Sequence, residues 1–102
     1  MASKYRSHPE ADDELDYALK YYRERSYKAP VNFINEFQSR IELILENPER
    51  YHPANKRYRR CNLNRFPYAI IYRKKEDTIY VIALIHERQR PFYWLDRVED
   101  DK

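Results

Sequence analysis

The apolar residues of this chain change their period once, near Tyr58, and that change limits the fold more than any other feature. Before it they recur at helical spacing: Ala11, Leu15, Ala18, Leu19 and Tyr22 in one stretch, then Phe33, Ile34, Phe37, Ile41, Ile44 and Leu45 in a second. After it, "YRRCNL" (58–63), "FPYAIIYR" (66–73) and "TIYVIALIH" (78–86) are rich in β-branched and aromatic residues and are separated by the short polar turns "NR" and "KKED". Two amphipathic helices therefore precede a group of strands, the order expected of an α+β chain.

The helix ends are marked. Pro9 suits a first helical position, Glu10, Asp12, Asp13 and Glu14 favour the positive helix start, and Lys20, Arg23 and Arg25 lie toward the other end. These carboxylates read as helix chemistry and not as catalytic acids. Pro30 opens the second helix and Asn47-Pro48 ends it. The short "SYKA" connection makes the two helices an antiparallel hairpin. Neither would be stable alone in water, so both stripes need an apolar surface supplied by the second half.

The three extended segments predict an antiparallel meander. Strict alternation puts Ile79, Val81, Ala83 and Ile85 on one face and Tyr80, Ile82, Leu84 and His86 on the other. With both faces apolar, this third segment belongs in the interior of the sheet. Pro67 has no backbone donor, which suits the beginning of its strand. "KYRS" (4–7) is compatible with a short strand feeding the first helix, and "PFYWLDR" (91–97) with a strand or a helical turn. The expected architecture is one domain over residues 1–97, a helical hairpin packed on a small antiparallel β-sheet, followed by a frayed acidic tail at 98–102.

A length of 102 residues suffices for one core without metal or disulfide support. Cys61 is the single cysteine, so no internal disulfide can form, which suits a reducing compartment. No secretory h-region and no apolar run of bilayer length occurs, so a soluble cytoplasmic protein with no membrane partner is expected. The sequence has no glycine, which removes the dinucleotide fingerprint and the P-loop, whose backbones need it. His8, His52 and His86 are far apart and lack paired ligand spacing, so neither a metal nor any other cofactor is expected.

Net charge is uneven. Residues 1–49 carry 7 Lys/Arg against 10 Asp/Glu, whereas residues 50–97 carry 12 against 4. A local excess of this size attracts an anionic partner, either nucleic acid or an acidic protein segment, unless it is a solvated sheet face. Arg59 and Arg60 open the first meander strand, Arg65 precedes the second, Arg73 closes it, and His86, Arg88 and Arg90 follow the third. Alternation places Arg73 with Ala69 and Ile71, opposite Tyr68, Ile70 and Tyr72, so it looks outward if the helices cover the tyrosine face.

With Tyr93 and Trp94 available for stacking, such arginines suit a phosphodiester backbone and bases, or the acidic face of a bound helix. His86 with Arg88 suits acid–base cleavage of a phosphodiester, or is a strand-end histidine satisfied by hydrogen bonds. Cys61 alternates into the sheet as a small core residue, and Arg97 anchors the tail.

The order short strand, helix hairpin, basic meander, together with "HPEADDEL", "ENPERY", "RRCNLNRFPYAIIYR" and "ALIHERQRPFYW", resembles the RelE/ParE superfamily of bacterial type II toxin–antitoxin toxins from about Tyr5 to Arg97. The resemblance implies a growth-inhibiting toxin neutralised by a small cognate antitoxin whose C-terminal segment wraps it. RelE-like members cut messenger RNA in the ribosome, and ParE-like members inhibit DNA gyrase. Where the ribonuclease branch places basic residues along the first meander strand and an arginine within the second, this chain has Arg60, Asn62 and Ala69, and Ala69 cannot stabilise a phosphorane-like transition state.

The "FPY" form is commoner in the ParE-like, plasmid-stabilisation branch. The resemblance therefore implies a gyrase-directed toxin with Arg60, Arg65, Arg73, Arg88 and Arg90 as target- or antitoxin-binding residues. The alternatives are a ribosome-dependent endoribonuclease using His86, Arg88, Tyr93 and Trp94, and an inactive antitoxin-binding module.

Overall fold

The computed structural model describes residues 1–97; the tail expected at 98–102 lies outside them. In chain order the elements are β1 (Lys4–Ser7), α1 (Pro9–Arg23), α2 (Ala29–Glu46), a 3-10 turn (Pro48–Arg50), β2 (His52–Pro53), β3 (Arg59–Asn62), β4 (Tyr68–Lys75) and β5 (Thr78–His86). The strands form one sheet in the order β1-β5-β4-β3-β2.

Both helices start where their prolines indicate. His8 caps α1 from an extended backbone, its Nδ1 accepting the Glu10 N–H at 3.0 Å, and so satisfies one of the donors a helix start leaves open. Pro30 lies in the first turn of α2, and Asn47, with a non-helical backbone, closes it.

From β2 to β5 the sheet is antiparallel, as the meander requires. β1 adds to the outside of β5 in parallel, Lys4 opposite Thr78 through Ser7 opposite Val81, and makes the sheet mixed. β5 is thereby an interior strand. The two-residue β2 and the three-residue 3-10 turn before it leave no periodic signal in sequence, because neither is long enough to repeat its pattern.

The alternation expected along β5 fails at one residue. Tyr72 pairs with Val81, but Ile71 pairs with Ala83, which leaves Ile82 as the extra residue of a β-bulge. A bulge inverts the parity of everything beyond it. Ile79, Val81 and Leu84 therefore join the helix-side core, while Ile82, Ala83 and Ile85 join the opposite face.

The helix-side core packs Phe33, Phe37, Ile41 and Ile44 of α2 and Ala11 and Ala18 of α1 against Cys61, Ile70 and Tyr72. At its end, Phe33, Tyr22, Phe66 and Tyr68 pack with ring centroids 4.8–6.4 Å apart, within the range where edge-to-face pairs add to burial. Cys61 is a core residue, as expected, and burial pushes its thiol pKa up against the lowering charge of Arg40. The helices do cover the tyrosine face of β4.

The opposite face is not bare. The segment after β5 folds back across it as turns and not as a strand, and packs Trp94 over Tyr58, Ala69, Ile71 and Ile85. Among the described residues no helix is long and apolar enough to cross a membrane.

Candidate functional site

The stretch His86-Glu87-Arg88-Gln89-Arg90 is a turn held by its own residues. The His86 N–H donates to Gln89 Oε1 at 2.7 Å, the Arg88 N–H to His86 Nδ1 at 3.0 Å, and the Glu87 N–H to the Pro67 carbonyl at 2.9 Å. The imidazole packs edge-on to Tyr68, centroids 5.0 Å apart. Because Nδ1 accepts a backbone hydrogen bond, only Nε2 of His86 is placed to exchange a proton with a ligand.

The segment is anchored by Glu14 of α1. Its carboxylate accepts the Tyr93 hydroxyl, the Leu84 N–H at 2.9 Å, and both Arg97 amino groups at 2.9 and 2.8 Å. Burial first, then the hydrogen bond and charge of Glu14, push the Tyr93 phenol above its usual range. Burial works to lower the Arg97 pKa, but the hydrogen bonds and charge of Glu14 outweigh it and raise it.

This anchor divides the surface into two grooves, with His86 lining both. On the outer face of the sheet, Arg60 and Arg90 line a cavity of about 250 Å³ whose floor is Ile71, Ile85 and Trp94. Arg60 is oriented by its Nε–H bond to Asn62 Oδ1 at 2.8 Å, and with Arg65 it also borders an adjoining depression. Arg65 is placed by Glu36 of α2, which accepts the Asn64 N–H and, at 3.1 Å, the Arg65 N–H. On the helix side, Arg88 lines a groove of about 920 Å³ against α1.

The structure thus brings Arg60 and Arg90 to one cavity, with Arg65 on an adjoining depression that shares Arg60, and sets Arg88 apart from them. Arg88 borders only the helix-side groove. Arg73 pairs with Tyr80, toward the end of β4 remote from the His86 turn. Of the surface expected from Arg60, Arg65, Arg73, Arg88 and Arg90, Arg88 is turned to the other groove, and Arg73, two residues beyond Ile71, the partner of Arg60, lines none of the cavities described above.

Of the set His86, Arg88, Tyr93 and Trp94, His86, Tyr93 and Trp94 line the Arg60–Arg90 cavity and Arg88 stands apart on the helix-side groove. Trp94 is 2% exposed and packs on Tyr58, so its ring is not offered for stacking. Tyr93 also lines that cavity, with its hydroxyl engaged by Glu14.

Sequence reasoning missed two residues. Glu14, one of a run of helix-start carboxylates, has no local signal that distinguishes it. Phe92 is the exposed ring of the cavity, 49% accessible and held at a left-handed φ of 61°, a conformation rare for a bulky residue. Chemically, the rim offers guanidinium donors over an apolar floor, which suits a carboxylate or phosphate carried on an apolar body. No group of three or more His, Cys, Asp or Glu side chains able to hold a metal occurs among the described residues.

A family model described as "ParE toxin of type II toxin-antitoxin system, parDE" matches residues 5–91. The curated proteins named Toxin ParE2 from two Mycobacterium tuberculosis strains, CDC 1551 / Oshkosh and ATCC 25618 / H37Rv, are 27% identical over 92 residues, covering 89% of this chain and 88% of each relative. A solved structure titled "Chromosomal ParDE TA system from P. aeruginosa" superposes with a TM-score of 0.71 over 81% of this chain and 94% of that one. At 13% identity, that likeness establishes a shared fold.

Proposed function

From the premise that this chain belongs to the ParE toxin family of type II toxin–antitoxin systems, we propose that it inhibits growth by binding DNA gyrase through the Arg65–Arg60–Arg90 rim, and that a cognate antitoxin neutralises it by covering that rim. The observation that carries this reading is the convergence of Arg60 and Arg90 on one apolar-floored cavity. At the mid-strand position where a ribonuclease would need a cation, the chain has Ala69, fully buried beneath the C-terminal segment.

Inhibition by occupancy needs complementarity and affinity, and no reacting atoms have to be aligned. Guanidinium groups at the edge of an apolar floor supply both elements, the floor through burial and the charges through steering and orientation. The antitoxin segment suited to the same rim carries acidic residues on an apolar stripe. High salt slows its association more than it speeds its release.

The test is a supercoiling assay with purified gyrase. Wild-type protein is expected to abolish supercoiling, and Arg60→Ala with Arg90→Ala to weaken inhibition at least tenfold while thermal stability is kept. Undiminished supercoiling at high toxin concentration ends this proposal. Cleavage of messenger on translating ribosomes, read by toeprinting, would replace it with the endoribonuclease reading.

A further inference from the structure

The helix-side groove differs in chemistry from the outer rim. Along α1, Glu10, Glu14, Tyr17 and Tyr21 follow one another at spacings of four, three and four residues, and Asp13 lies three after Glu10 and four before Tyr17, so they border one face of the helix. That face forms one wall of the groove of about 920 Å³; Tyr68, His86 and Arg88 stand on the other. The volume lies in the range that holds a drug-sized ligand or several side chains, about 300–1,000 Å³. Tyr17 is 71% exposed and Tyr21 40%.

The α1 wall is negative. Arg97 is the cation closest to its carboxylates, 2.8 Å from Glu14 and 3.7 Å from Glu10. Glu10, Asp13 and Glu14 thus set three carboxylates against the guanidinium groups of Arg97 and, beside Tyr21, of Arg25. Next to them, aromatic faces carry the negative lobes of their quadrupoles, which attract cations.

The chain itself demonstrates the affinity, since the Arg25 guanidinium lies over the Tyr21 ring at 3.7 Å. Burial, with Tyr22, Tyr17 and Tyr21 nearby, pushes the Tyr68 phenol up to about 12, so that ring stays neutral at ordinary pH. Across the groove stands Arg88, so the charge is polarised from one wall to the other.

We infer that this groove is a second recognition surface, taking a partner peptide segment that lays an arginine or lysine on the exposed Tyr17 ring beside Asp13, next to the Tyr21 face that Arg25 fills, and turns a carboxylate toward Arg88. The outer rim selects an acidic ligand and the α1 ridge a cationic one, so the two grooves bind different segments. The inference does not depend on gyrase as the target: an inactive toxin in the supercoiling assay leaves it standing, and its own failure leaves that assay unaffected.

The probe is a short alanine-based helical peptide with arginine along one flank and glutamate along the other, titrated into the full chain and followed by NMR. Saturable shifts are expected at Tyr17, Tyr21 and Arg88. The same peptide with citrulline in place of arginine keeps the shape without the charge and is expected to bind roughly tenfold more weakly.

Tyr17→Ala, at a solvent-facing position, is expected to weaken the arginine peptide several-fold with an unchanged melting temperature, and Tyr17→Phe to restore it because the ring face remains. Equal binding of the citrulline peptide overturns the inference. So do shifts confined to the Arg60–Arg90 cavity, an absence of shifts at millimolar peptide, and ridge shifts that depend only on the protein's own concentration, which would assign the groove to a second copy of the chain.

Discussion

Glu14 on α1 and Arg97, 83 residues later, form a two-point ion pair with N–O distances of 2.9 and 2.8 Å. β1 covers the edge of β5 only as far as Val81, and beyond that point the strand's backbone groups need other partners. The pair supplies them. Arg97 donates to the carbonyl of the bulge residue Ile82 at 3.1 Å, and Glu14 accepts the N–H of Leu84 at 2.9 Å. One ion pair closes the sheet edge, stabilises the bulge and holds down the segment that carries Phe92.

Removing either partner leaves the other poorly solvated, since the side chains are 7% (Arg97) and 19% (Glu14) exposed. Glu14→Ala and Arg97→Ala are each expected to cost about 3 kcal/mol in urea denaturation. The double variant is expected to cost less than the sum by about 1–3 kcal/mol. Strictly additive losses would show that the two residues act separately.

Trp94 is the only tryptophan in the chain and reports on the outer-face core directly. Its indole, packed on Tyr58 with centroids 5.3 Å apart, is expected to emit at shorter wavelength than exposed indole and to shift red in step with global unfolding. Trp94→Ala is expected to cost about 3–5 kcal/mol, and Trp94→Phe, which keeps an aromatic ring against Tyr58, to cost less. A Trp94→Phe protein as unstable as Trp94→Ala would show that the indole itself, and not an aromatic ring, is what the outer-face core requires.

The contrast between Glu14 and Trp94 shows what a single sequence discloses. Elements defined by neighbours in the chain were legible: Pro9 and Pro30 mark helix starts, the α2 stripe marks its buried face, and β5 runs over the segment its composition indicated. Features defined by distant partners were not. The Ile82 bulge depends on how β4 and β5 are paired, and a carboxylate in a first helical turn looks the same whether solvated or tied to Arg97. The arginines were legible as an excess of charge, but their division between two grooves follows from the turn that His86 and Gln89 hold.

Alkaline pH is expected to weaken the fold through its buried phenols. Tyr72 donates to the Pro48 carbonyl at 2.6 Å, and burial raises its pKa; burial raises that of Tyr68 to about 12. Both lie above the unfolded value of about 10. A raised folded-state pKa means that the stabilisation is fully present below pH 10 and is lost as pH rises through the folded values. The urea midpoint is expected to begin to fall from about pH 8.5, where the unfolded Cys61 thiol ionises ahead of the buried one, and to fall more steeply above about 10 as the phenols follow. Tyr72→Phe is expected to start about 1 kcal/mol lower with a shallower decline. A midpoint that rises above pH 10 would contradict this sign.

The hairpin between β4 and β5 shows what building without glycine costs. Lys75 pairs with Thr78, which leaves Glu76 and Asp77 as a two-residue connection, and Glu76 takes a left-handed φ of 57°. In that region a β-carbon crowds the following carbonyl, at about 1–2 kcal/mol, a penalty that glycine avoids. The contacts that fix the turn belong to its neighbour, because the Asp77 carboxylate accepts the Ser3 N–H at 3.2 Å and its backbone carbonyl accepts the same donor.

Glu76→Gly should therefore relieve strain without releasing the turn, with part of the gain offset by the greater freedom of glycine in the unfolded chain. The net expectation is a gain of about 0.5–1 kcal/mol, read as a melting temperature several degrees higher for a domain of this size. Glu76→Val, which adds β-branching at the same φ, is expected to lower it. If the glycine variant melts below wild type, the left-handed residue is not a strained position.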